Sequence, residues 1–157
     1  MSRVQLALNV DDIDRAVDFY SRLFGVEPHK RREGYANFAV DEPPLKLVLI
    51  ENAGSGGTLN HLGIEVPSTD EVTAATRRLA DDGMDTLVEE QTDCCFAIQD
   101  KVWVNDADGA NWEIYTITDD AGVAAPGSSG TTATSADACG PACSTSPTES
   151  LADPVGR

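Results

Sequence analysis

The strongest constraint on this chain is that its opening pattern is written twice. Gln5-Leu6-Ala7-Leu8-Asn9-Val10 aligns with His61-Leu62-Gly63-Ile64-Glu65-Val66 at a shift of 56 residues. The same shift sets Asp14 on Asp70, Arg22 on Arg78 and Leu23 on Leu79. Two copies of one unit are too few for a solenoid array, and they are expected to pack together.

Each copy reads as a strand, a helix and three further strands. Leu6, Leu8 and Val10 alternate with Gln5, Ala7 and Asn9, the period-2 pattern of a strand with two unlike faces. Asp11 and Asp12 are good N-caps; Ile13, Ala16, Val17, Tyr20, Leu23 and Phe24 then fall at helical spacing until Gly25 supplies a stop. In the second copy Ser68-Thr69-Asp70-Glu71 has the capping-box form, Val72, Ala75 and Leu79 make an apolar stripe, and Gly83 ends it. Strands are expected at Tyr35–Val40 and Lys46–Ile50, then at Phe96–Ile98, Val102–Val104 and Asn111–Ile117. Asp106-Ala107-Asp108-Gly109 makes a hairpin turn before the last. The expected fold is α+β: two βαβββ modules, about 1–53 and 58–118, forming a half-closed mixed barrel. Gly54-Ser55-Gly56-Gly57 links them; it lacks the Gly-Lys-Ser/Thr and the following helix of a phosphate loop.

Composition matters at two points. From Asp120 to Arg157, 20 of 38 residues are Gly, Pro, Ser or Thr, none is aromatic, and Val123, Leu151 and Val155 are the only larger aliphatics. Such a segment buries too little to offset its ordering entropy, so 119–157 is expected to be a disordered tail and 1–118 the folded domain. The formal charge of −16 argues against nucleic acid and anionic lipid as partners. No apolar run approaches the roughly 20 residues of a membrane span. The N-terminus enters a strand pattern without an apolar leader, so the expected location is cytoplasmic. There, cysteines serve as thiols or ligands more often than as disulfides.

The repeat places Gln5 and His61 at equivalent positions, on the strand face opposite the aliphatic set that should meet the helices. Their face-mates Ala7 and Gly63 are small and leave room. In the last strand Glu113 stands between Trp112 and Ile114, with Tyr115 on its own face. Taken singly, a Gln at a strand start is ordinarily solvated and a strand His is ordinarily a hydrogen-bonded core residue. Equivalence under the repeat, with an acid inside an apolar strand, favours a joint three-ligand metal site with open positions. His29, within Glu27-Pro28-His29-Lys30-Arg31-Arg32, is expected to be exposed.

Cys94-Cys95 is a second constellation. Strand neighbours point to opposite faces, but at a turn or strand end two thiols can swing to one side. Thiolates select soft centres: trivalent arsenic, cadmium or zinc. The plainer reading is two ordinary buried cysteines. Cys139-Gly140-Pro141-Ala142-Cys143 adds a weaker thiol pair in the tail.

These residues carry a resemblance. Paired βαβββ modules, with candidate ligands on the first strand of each half and Asp108-Gly109-Ala110-Asn111-Trp112-Glu113-Ile114-Tyr115 at the end, resemble the vicinal-oxygen-chelate superfamily of glyoxalase I, bleomycin-resistance protein and extradiol dioxygenases. Leu59-Asn60-His61-Leu62-Gly63, Cys94-Cys95-Phe96-Ala97 and Gln99-Asp100-Lys101-Val102-Trp103-Val104 are similar to the cadmium-induced protein and organoarsenical carbon–arsenic lyase family. The resemblance covers about residues 2–117 and leaves the tail unexplained.

The resemblance implies a non-haem Fe(II), O2-dependent cleavage of the carbon–arsenic bond of trivalent methyl or aryl arsenicals. Gln5, His61 and Glu113 would hold the iron, and Cys94 and Cys95 the arsenic. Same-face spacing makes Tyr115 a candidate support for the ligands. Other divalent first-row metals compete for such a site. A homodimer is among the associations open to the chain. Two alternatives stand: a non-catalytic thiol protein that sequesters cadmium or arsenic, and another metal-dependent glyoxalase- or dioxygenase-like enzyme.

Overall fold

The computed structural model describes residues 1–94 and 97–119. The first repeat is β1 (Arg3–Val10), α1 (Ile13–Phe24), β2 (Lys30–Arg32), β3 (Tyr35–Val40) and β4 (Leu45–Glu51). The second is β5 (Leu59–Glu65), α2 (Thr69–Asp81), β6 (Thr86–Cys94), β7 (Ala97–Asn105) and β8 (Asn111–Asp119). All eight strands form one open mixed sheet in the order β2-β3-β4-β1-β5-β8-β7-β6. At its centre β1 and β5 run antiparallel, and each is flanked by the last strand of its own repeat, parallel to it.

Local chemistry explains the helices. Asp12 caps α1 by accepting from the Arg15 amide at 2.9 Å, while Asp11 turns away and holds the Gly54 and Gly56 amides of the linker. Gly25 closes α1 at φ 68°, where a side chain would be strained, and its N–H bonds the Ser21 carbonyl. The buried face of α1, Ile13 and Val17 with Ala16, Tyr20 and Phe24 beside them, packs on Phe38, Leu47 and Leu49. Leu23 departs from the expected stripe and is exposed, because at 3.6 residues per turn it falls well off the Ile13-Val17-Phe24 line. Val72 and Leu79 of α2 make the matching core with Val102 and Ile114.

The second repeat differs from expectation in its strands. Phe96–Ile98 and Val102–Val104 were expected as separate strands, with Gln99-Asp100-Lys101 between them. Instead β7 runs unbroken over Ala97–Asn105, with Phe96 outside the described residues, and β6 supplies the remaining strand. All three polar residues are buried. The short edge strand β2 is too charged to carry an apolar signature. β8 extends to Asp119, where the tail was expected to begin. The rest of the expected disordered tail, 120–157 with Cys139 and Cys143, lies outside the described residues.

Candidate metal centre

The site grows from the pairing of β1 with β5. Gln5 pairs with Gly63 and Ala7 with His61, so each polar side chain lies opposite the other strand's small residue. Gly63 also pairs with Glu113 of β8. Gln5, Gly63 and Glu113 therefore form one row across three strands, with no side chain in the middle. A Cβ on Gly63 would lie 3.1 Å from Glu113 Cγ and 3.2 Å from Gln5 Cβ, tighter than ordinary contact, so glycine lets the row close without either side chain giving way.

Across that gap the three candidate ligands meet. Gln5 Nε2 lies 2.6 Å from Glu113 Oε1 and 3.1 Å from His61 Nε2, and His61 Nε2 lies 3.3 Å from Glu113 Oε1. All three residues are buried. Tyr115 donates its hydroxyl to Gln5 Oε1 at 2.6 Å and lies 3.2 Å from Glu65 Oε2, which Arg3 also holds. Burial and the negative charges of Glu65 and Glu113 hold the Tyr115 phenol well above its ordinary pKa. His29 is exposed and takes no part in this cluster, as expected.

Sequence reasoning missed Lys101. Its ammonium donates to Glu113 Oε2 at 2.9 Å from a side chain 1% exposed. Burial alone would raise the Glu113 pKa, but a hydrogen bond from His61 in its protonated form and the Lys101 charge overcome it and bring it to about 2. Sequence reasoning also gave Trp103 no place in the site, although the indole packs edge-on to His61. A signal for both existed: Gln99, Lys101 and Trp103 alternate onto one strand face, but only if β7 is read as unbroken.

The donors fit a divalent first-row cation: one imidazole, one carboxylate and one amide, each from a different strand. Among the described residues no group of three His, Cys, Asp or Glu forms such a cluster; the third donor is the amide of Gln5. As a ligand Gln5 must present its oxygen, whereas here its nitrogen faces the anionic Glu113. Turning the amide exchanges the two, and the Tyr115 hydroxyl can accept from Nε2 while directing its proton to Glu65. Of the thiol pair, Cys94 ends β6 and pairs with Ala97 through the backbone; its side chain and Cys95 lie outside the described residues.

With this sheet, and with polar groups gathered from the first strand of each half and the last strand of the second, the chain belongs to the Glyoxalase/Bleomycin resistance protein/Dioxygenase superfamily, whose family model matches residues 3–114. Within it, the chain is 62% identical over 120 residues to a cadmium-induced protein, CadI, of Mycobacterium tuberculosis, covering 76% of this chain and 79% of that one. It is 56% identical over 122 residues to a trivalent organoarsenical cleaving enzyme of Thermomonospora curvata, covering 77% and 81%. Among solved structures, the Mn(II)-bound glyoxalase from Novosphingobium aromaticivorans superimposes with a TM-score of 0.56 at 20% identity, over 74% of this chain and 40% of that one, a likeness of fold. Among the described residues no helix is long and apolar enough to cross a membrane.

Proposed function

We propose that the protein cleaves the carbon–arsenic bond of trivalent organoarsenicals in an Fe(II)- and O2-dependent reaction, releasing arsenite. The observation that carries this reading is the meeting of Gln5, His61 and Glu113 in one buried cluster. The relatedness to an organoarsenical cleaving enzyme supports the substrate class. Gln5, His61 and Glu113 would hold the metal; a ferrous ion there supplies the activation of O2 that side chains alone cannot.

The chain's own residues do the rest. Lys101 grips one oxygen of Glu113 and leaves Oε1 facing His61, and it keeps the carboxylate ionised. Tyr115 holds the Gln5 amide in place. Cys94 and Cys95 are assigned to the substrate: soft thiolates bind As(III) and turn a bimolecular encounter into a positioned one. Balanced for the simplest substrate, methylarsonous acid and one O2 give arsenous acid and formaldehyde. The carbon is oxidised, and the arsenic–carbon bond is replaced by arsenic–oxygen.

The test is arsenic speciation on iron-loaded protein given a trivalent methylarsenical, with and without O2. Arsenite is expected only with O2, and Cys94→Ser or Cys95→Ser should abolish its release while keeping the iron. The similarity to a cadmium-induced protein favours a second reading, thiol-based sequestration of cadmium or arsenic. That reading predicts tight binding with no product, so binding without release in aerobic, iron-loaded protein would overturn the lyase.

A further inference from the structure

His61 bonds sideways as well as into the site. The register between β1 and β5 shifts between Ala7 and Leu8: Ala7 pairs with His61 and Leu8 with Leu59, leaving Asn60 as an extra residue on β5. Such a bulge re-aims a side chain that regular pleating would send to the other face. Here Asn60 Oδ1 comes to 2.7 Å from His61 Nδ1. The hydrogen bonds continue. Asn60 Nδ2 donates to Asn9 Oδ1 at 2.9 Å, Asn9 Nδ2 donates to Thr58 Oγ1 at 2.9 Å, and Thr58 donates its hydroxyl to the Ser55 carbonyl at 2.6 Å.

The direction of this chain is set at its far end. A backbone carbonyl only accepts, so Thr58 spends its proton on Ser55 and accepts from Asn9. Asn9 then presents its oxygen to Asn60, and Asn60 presents its oxygen to His61. The ring nitrogen facing Asn60 must be the donor. We propose that Asn60 is a positioning residue which, through Asn9, Thr58 and the Ser55 carbonyl of the inter-repeat linker, fixes the neutral form of the His61 ring as its Nδ1–H tautomer and turns the bare Nε2 lone pair toward the Gln5 amide N–H, 3.1 Å away. A ligating imidazole needs that tautomer, and a fixed partner on its other nitrogen keeps both proton and ring in place. The tautomer stands on hydrogen bonds alone; its use as a ligand rests on the metal reading above.

The two parts are tested separately on the full-length chain. The protein has two histidines, so His29→Gln leaves a single imidazole, whose nitrogens are read by long-range 1H–15N NMR on metal-free protein at a pH where the ring is neutral. A protonated Nδ1 and a bare Nε2 are expected; a protonated Nε2 overturns the proposal whatever the variants do. Asn60→Ala should then populate both tautomers and weaken Mn(II) binding, followed by titration, by about 10- to 100-fold. Asn60→Asp, which keeps an oxygen acceptor, should retain the wild-type tautomer. Thermal melts alongside report whether each variant folds. An Asn60→Ala protein that folds with unchanged tautomer and unchanged Mn(II) affinity overturns the proposal. Wild-type protein with the stated tautomer but no Mn(II) binding overturns the metal reading and leaves the relay standing.

Discussion

The row Gln5-Gly63-Glu113 shows how much a single position decides. His61→Ala and Glu113→Ala should each remove most Fe(II) from the purified protein, measured by metal analysis, with circular dichroism showing His61→Ala folded and Glu113→Ala less stable because it leaves the buried Lys101 ammonium without its partner. Gln5→Ala should be milder because a neutral amide oxygen is the weakest of the three donors, and Gln5→His should be tolerated. Wild-type iron content in His61→Ala and Glu113→Ala would exclude the cluster as the metal site. Gly63→Ala inserts a methyl 3.1–3.2 Å from the side chains of Glu113 and Gln5. Overpacking of this kind costs about 1–3 kcal/mol, and it should lower iron affinity along with the melting temperature. Lys101 acts through charge. Folding lowers the Glu113 pKa from 4.5 to about 2, so its stabilisation is complete above pH 4.5 and lost as pH falls toward 2. Lys101→Met strands that carboxylate in the interior. The variant should lose about 3–5 kcal/mol at neutral pH, with its acid-unfolding limb moved to higher pH.

Among the elements, α2 and the edge strand β6 are tied to β7 by one carboxylate. Asp100 Oδ2 accepts from the Thr69 hydroxyl at 2.6 Å in the first turn of α2, and Oδ1 accepts from the Gln91 amide at 2.8 Å and from Gln91 Nε2 at 3.0 Å. Gln91 stands at φ 50° in a β6 bulge, a conformation few side chains adopt, and the two bonds to Asp100 hold it there. Burial raises the Asp100 pKa, but these bonds outweigh it and lower it below the ordinary 3.8. Asp100→Asn keeps the shape and loses the charge; a cost of roughly 1–3 kcal/mol is expected by denaturant unfolding at neutral pH. Because the folded pKa is depressed, that difference should shrink as pH falls from about 3.8 through the lower folded pKa, where wild-type Asp100 also takes a proton. A gap that widens in acid would refute this account of the tie.

For the molecule as a whole, charge and tail make the separate predictions. At −16 the chain repels itself, so raising ionic strength from about 0.01 to 0.15 M, which shortens the screening length from roughly 30 to 8 Å, should raise the melting temperature. Truncation after Asp119 should leave the melting temperature within a few degrees, since the removed segment carries only Val123, Leu151 and Val155 as larger aliphatics. A large loss would show that the tail packs on the domain. Arsenical affinity could fall on truncation with no change in fold if Cys139 or Cys143 adds a thiolate.

What the sequence determined by itself was whatever repeats or alternates locally. The 56-residue shift paired Gln5 with His61, and the period-2 faces of β1, β5 and β8 sent Gln5, His61, Glu113 and Tyr115 to one side of the sheet. Those features survive in one dimension because a strand's two faces follow from residue parity. Lys101, Asp100 and Asn60 did not survive. Gln99-Asp100-Lys101 reads as a break in apolar patterning, and it becomes buried strand only because Glu113, Thr69 and Gln91 arrive from other elements to satisfy the polar groups. Asn60 reads as facing away from His61 until the β1–β5 register leaves it in a bulge. A buried polar group is tolerable only with its partner, and where that partner lies is decided by the tertiary structure.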